Sequence, residues 1–143
     1  MSNYDTVNAI TANVQKVLKG LGIHFNLEAY DDEAAIPATV LPHGQIFYEC
    51  EFFEYGHGQK PLYIEVQLRL HVVLMERAPA DIIREQQTWV HAIRGALTIT
   101  ALNIGDLAVS KYVSRVTTES VKLLNSQPRS AVEYVVLIRY REV

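Results

Sequence analysis

Along Tyr63–Leu74, "YIEVQLRLHVVL", the apolar residues Ile64, Val66, Leu68, Leu70, Val72 and Leu74 alternate with Tyr63, Glu65, Gln67, Arg69, His71 and Val73. A period of two sends the first set to one side of a β-strand and the second to the other. The stretch therefore predicts a strand with one dry face and one polar face. Upstream, "IFYECEFFEY" (46–55) is aromatic and extended, and "GHGQKP" (56–61) between the two runs is a turn, so the pair predicts a hairpin with a long loop.

Elsewhere the period changes. From Thr6, Val7, Ile10, Val14, Val17, Leu18 and Leu21 recur at helical spacing, with Asn3 or Asp5 placed to cap the start and Gly20 or Gly22 suited to the exit. "IHFNLEAY" (23–30) alternates like a strand, and "DDEAAIPATVLPHGQ" (31–45), with its turn formers, acids and two prolines, reads as an exposed connection. Pro79 opens a second helix whose inner face carries Ile82, Ile83, Gln86, Trp89, Val90, Ile93 and Leu97, with Trp89 as its anchor. Beyond the "TALNIGD" linker, "SKYVSRVTTE" and "AVEYVVLIRYREV" predict two more strands joined by the polar "LNSQPRS". The order is α-β-β-β-α-β-β. It predicts one α+β domain over 1–143, a two-layer arrangement with a mainly antiparallel sheet and two helices packed on one face.

The last strand complicates that picture. Val132, Tyr134, Val136, Ile138 and Tyr140 make one dry face, yet Ala131, Val135 and Leu137 lie on the other. A sheet with one wet face does not need them, so the second face is covered as well, either by local loops or by a neighbouring subunit.

Composition narrows the function classes. With 143 residues, 49% hydrophobic and 20% charged, the chain suffices for one proper core. Net charge is −3 but uneven: residues 1–59 hold two lysines against eight acids, and 60–143 hold eleven bases against eight acids. Unlike poles suit copies that pack head to tail. No concentrated Lys/Arg patch marks a nucleic-acid binder. The single Cys50 excludes an internal disulfide, and its place in "IFYECEFF" makes it a small hydrophobe rather than a nucleophile. No basic-then-apolar leader and no apolar run of membrane length is present, so neither secretion nor a membrane partner is expected.

The polar positions carry only fragments of catalytic patterns. "IEVQ" (64–67) resembles the strand acid of metal-dependent nucleases, but that chemistry needs a second carboxylate and a Lys where Gln67 stands. The five histidines include no pair at i, i+4, which leaves no helical metal site, although His43 and His57 lie within reach of Glu49 or Glu51 across the hairpin. The serines lack a strand-turn-helix elbow, and "KGLG" and "YGHG" lack the strand and helix that flank a phosphate cradle. The expectation is a protein without catalytic residues, metal or cofactor.

The layout as a whole resembles the tail terminator (tail-completion) proteins of long-tailed bacteriophages. The likeness rests on a leading helix, the Pro-containing connection "AAIPATVLPHG", the long hairpin "IFYECEFFEYGHGQKPLYIEVQLRLHVVL", one helix after it ("PADIIREQQTWVHAIRGAL") and a closing strand "VEYVVLIRYREV". It is a likeness of arrangement without a diagnostic motif. It implies a non-enzymatic virion protein, assembled in the host cytoplasm and placed at the head-proximal end of the tail. There it would form a homohexameric ring that caps the tail tube and meets the head-tail connector protein. DNA would pass through the ring without specific binding.

Two residue sets carry that expectation. The hairpin tip, Tyr55, Gly56, His57, Gly58, Gln59 and Lys60, is the expected partner contact, and Glu49, Glu51, Glu65 and Gln67 are the expected lumen-facing set. Glu49 and Glu51 are taken to share one side of their strand, with Arg69 pairing to Glu51 across the hairpin. The same layout leaves open another neck or head-completion protein. It also leaves open a small-molecule-binding or enzymatic α+β domain with its site between the 31–45 connection and the sheet.

Overall fold

The computed structural model describes residues 3–25, 36–58, 61–102, 108–121 and 129–141. Helix α1 spans Asn3–Gly20, β1 His43–Tyr55, β2 Pro61–Val73, α2 Pro79–Ala96, α3 Ile99–Leu102, β3 Ala108–Val121 and β4 Arg129–Arg141, with a short 3-10 turn at Ala38–Val40 before β1. The four long strands form one antiparallel sheet in the order β1-β2-β4-β3. This is the expected α+β, two-layer arrangement.

Each helix forms where its apolar stripe finds that sheet. Ile10, Val14 and Leu18, one helical turn apart, are fully buried on α1, with Asp5 in its first turn and Lys19 in its last opposing the helix dipole favourably. The helix stops at Gly22, whose φ of 90° lets Gly22 and Ile23 donate their N–H groups to the carbonyls of Lys19 and Leu18. On α2, Ile82, Gln86 and Ile93 are the buried positions, and the expected anchor Trp89 is only partly buried against the same cluster. The inner faces of β2 (Ile64, Val66, Leu68, Leu70, Val72) and β4 (Val132, Tyr134, Val136, Ile138, Tyr140) complete one continuous core. Tyr134 ties the layers together, since its hydroxyl donates to the Val90 carbonyl of α2.

Two features differ from the sequence reading. The expected strand over 23–30 contributes one parallel bridge, His24 to His43, and residues 26–30 lie outside the described residues. The connection is not simply exposed. Its residues 36–42 fold over the second face of the sheet, where Ile36 and Leu41 bury against Val73, and Gln45 already belongs to β1. Arg129, 4% exposed, clamps this flap by donating to the Ile36 carbonyl and the Glu76 carboxylate. Together with Ala131, Val135 and Leu137, all buried within the chain itself, this answers part of the cover question locally.

Candidate functional site

The hairpin β1–β2 presents the least satisfied surface among the described residues. In β1 exposure rises along the strand: His43 and Gly44 are buried, while 52–55 are exposed. Phe52, Phe53, Tyr55 and Leu62 are each more than half exposed, and so is Tyr48. Pairing puts Phe53 opposite Ile64 and Phe52 opposite Glu65, so the aromatics occupy both faces of the hairpin's far end. Phe53 is still opposite Ile64, which is buried in the core with Tyr140, and only Glu54 to Tyr63 lie beyond that last core pair. At the tip, Gly58 adopts a φ of 122°, and Gly56 and His57 are exposed; Gln59 and Lys60 of the expected contact set lie outside the described residues.

A bulge decides which face each acid takes. Tyr48 pairs with Leu68 and Cys50 with Gln67, so Glu49 is an extra residue in β1 and the side-chain alternation is reset there. The expectation that Glu49 and Glu51 share a side is therefore corrected. Glu49 lies on the open face with Gln67 and Glu65. Glu51, opposite Val66, turns to the helix-covered face, where it accepts a hydrogen bond of 2.8 Å from the Tyr140 hydroxyl.

On the open face, Arg69 pairs with Glu49 and not with Glu51. Its Nε donates to Glu49 Oε1 at 2.7 Å, its Nη1 reaches Glu133 Oε2 at 3.2 Å, and the guanidinium lies 4.2 Å from the centre of the Phe47 ring. Gln67 Nε2 donates to the other Glu49 oxygen at 2.7 Å, and His71 Nδ1 stands 3.3 Å from Glu133 Oε2. Further along, Arg139 pairs with Glu54 and covers the Tyr63 ring at 4.9 Å. This face is a lattice of matched charges and not a row of bare carboxylates. Sequence reasoning missed Glu133, Arg139 and Phe47 as its members. The signal for Glu133 and Arg139 was their polar character at open-face positions of β4, and for Phe47 its place opposite Arg69 across the hairpin.

A third element is the group of histidines around the start of β1. His43 is 1% exposed, bridged through its backbone to His24, with His71 nearby on β2. Burial, then the two neighbouring imidazoles, hold the His43 pKa below its ordinary value of 6.5. The folded state thus binds this proton less readily than the unfolded chain. The contribution to stability is complete above pH 6.5 and is lost as the pH falls below it toward the folded pKa. Chemical denaturation between pH 7.5 and 5 is expected to show a decline that His43→Gln reduces, and an equal decline in the variant would remove His43 as its source.

Among the described residues no group of three or more His, Cys, Asp or Glu is placed to hold a metal ion, and no helix is long and apolar enough to cross a membrane. A shallow apolar groove of about 420 Å³ lies between α1 and β1, bounded by Tyr4, Val7, Thr11, Ile46, Tyr48 and Glu51. No protein-family model matches the chain, and no curated protein matches it either.

Proposed function

We propose that the chain is a structural virion protein of the tail-terminator type. Its copies close into a homo-oligomeric ring, a hexamer on the resemblance, that caps the finished tail tube, stops its polymerisation and offers a surface to the head-tail connector. The observation that carries this reading is the far end of the β1–β2 hairpin. Phe52, Phe53, Tyr55 and Leu62 are held in ordered strands or at their ends, yet each is more than half exposed. Apolar side chains grouped at one end of a sheet and left uncovered mark a surface that another protein covers. The matched charges of the open face fit the same reading, since a surface past which DNA moves should not grip phosphate.

Phe53→Ser combined with Leu62→Ser tests it. Both positions are exposed, so the change in stability is expected to stay within about 0.5 kcal/mol. Light scattering after size exclusion is expected to show a ring for the parent chain, alone or with tail tubes, and a smaller species for the variant. Electron microscopy of tubes polymerised with the parent chain should show capped ends of limited length. A parent chain that stays monomeric in both conditions and leaves tube growth unchanged overturns the reading.

A second reading, a small-molecule-binding domain, has one observation in its favour, the groove between α1 and β1. It differs in place from the expected site under the 31–45 connection. A monomer whose stability rises with an apolar ligand bound beside Tyr4 and Tyr48 would support it.

A further inference from the structure

We infer that the copies of this protein join edge to edge, β1 of one pairing antiparallel with β3 of the next, so that their sheets run on as a single wall with every helix on the same side. The inference rests on the ring reading above and specifies its seam.

Among the described residues the two strands concerned are the outer members of the sheet, and they are nearly equal in length, at 13 and 14 residues. Among the described residues, the outer edge of β1 is engaged only at its start, where His24 bridges His43 and Gly44 donates to the His24 carbonyl. The remainder, from Gln45 to Tyr55, contains neither proline nor lysine, and the bulge at Glu49, like those in β3, is an irregularity that the seam has to follow. A long edge left in that state is a template for another strand.

Charge selects β3 as that strand and fixes its direction. β1 carries Glu49, Glu51 and Glu54, whereas β3 carries Lys111 and Arg115, with Glu119 toward its other end. Lys111 is opposite Ile138, so it takes the helix-covered face; Arg115 is opposite Val135 and takes the open face. Glu51 and Glu49 occupy those same two faces respectively. An antiparallel seam brings Glu51 toward Lys111 and Glu49 toward Arg115, each acid meeting a base on its own face. Glu119 then falls toward the His43 end of β1, away from the three acids. A parallel seam would set Glu49 beside Lys111 and Glu51 beside Arg115, on opposite faces in both cases.

Topology gives the same answer independently. In the order β1-β2-β4-β3 every neighbouring pair is antiparallel, so β1 and β3 run in opposite directions. Rotation about an axis lying along the strands preserves those directions. The last strand of one copy therefore meets the first of the next antiparallel, and the alternation continues around the ring without a break. Such a contact is heterologous and closes on itself, as a ring requires.

The test uses the only native cysteine as its starting point. In a Cys50→Ser background, Glu51→Cys with Lys111→Cys is treated with a short bismaleimide. A ladder of covalent multimers ending at the ring size is expected, with none from Glu51→Cys paired with Arg115→Cys. Separately, Glu51→Lys is expected to weaken ring formation at least tenfold, and Lys111→Glu in the same chain to restore it. Rings seen by light scattering without a ladder and without charge-swap rescue would overturn the seam while leaving the ring reading in place. A parent chain that remains monomeric alone and with tail tubes would overturn both.

Discussion

Tyr134→Ala is expected to lower the unfolding free energy by about 3–5 kcal/mol, the range for deleting a buried aromatic ring. Tyr134 is fully buried on a central strand, packed with Leu68 and Leu70 of β2 in the core beneath both helices. Alanine would leave a cavity where the sheet meets α2. Tyr134→Phe keeps the ring and removes only the hydroxyl that donates to Val90, and should cost about 1 kcal/mol. Urea titration of the three proteins separates packing from hydrogen bonding; equal losses for both variants would mean that the hydroxyl, and not the ring, joins the layers. The phenol adds a pH signature. Burial pushes its pKa up to about 12, so its contribution is complete below pH 10 and is lost as the pH rises from there through 12. The Tyr134→Phe variant should lack that component.

The second large effect is expected at Arg129. Its guanidinium is 4% exposed and reaches Glu76 at 3.1 Å as well as the Ile36 carbonyl. Arg129→Ala would strand that carbonyl and leave Glu76 with less compensation. Because Glu76 is itself 31% exposed, water relieves part of the loss, and about 2–3 kcal/mol is expected. The effect should also be local. Hydrogen exchange in residues 36–42 is expected to rise more than in β2 or β4, since the flap loses its clamp while the main core is untouched. Uniform acceleration across the sheet would show that Arg129 supports the whole fold and not the flap.

Both residues illustrate which parts of the molecule a sequence reveals. Tyr134 sits in an unbroken alternation, so its face was legible from Val132 and Val136 alone. The inner stripe of α1 was legible for the same reason, because Ile10, Val14 and Leu18 follow a single period. Arg129 was hidden in "LNSQPRS", which reads as a polar loop. Its partners lie 53 and 93 positions away, and nothing local signals a buried cation. The flap was misjudged on similar grounds: "AAIPATVLPHG" has the composition of an exposed connection, but Val73 and Ala131 on the second face needed a cover. The faces of the hairpin acids failed for a different reason. In "IFYECEFF" aromatics stand at both parities, so no period remains to betray the extra residue at Glu49.

That extra residue has a mechanical consequence. A bulge bends its strand and adds right-handed twist at one point. Before it, the outer edge of β1 is held by the bridge to His24; after it, the strand stays paired with β2 and its aromatics are exposed on both faces. Glu49 is thus a bend between two arms that β2 holds on either side, since Phe47 and Tyr48 before it and Glu51 to Glu54 after it all have partners there. In the proposed ring, that bend and those of β3, between Ala108 and Ser110 and between Val113 and Arg115, together shape the seam and so how one copy leans on the next.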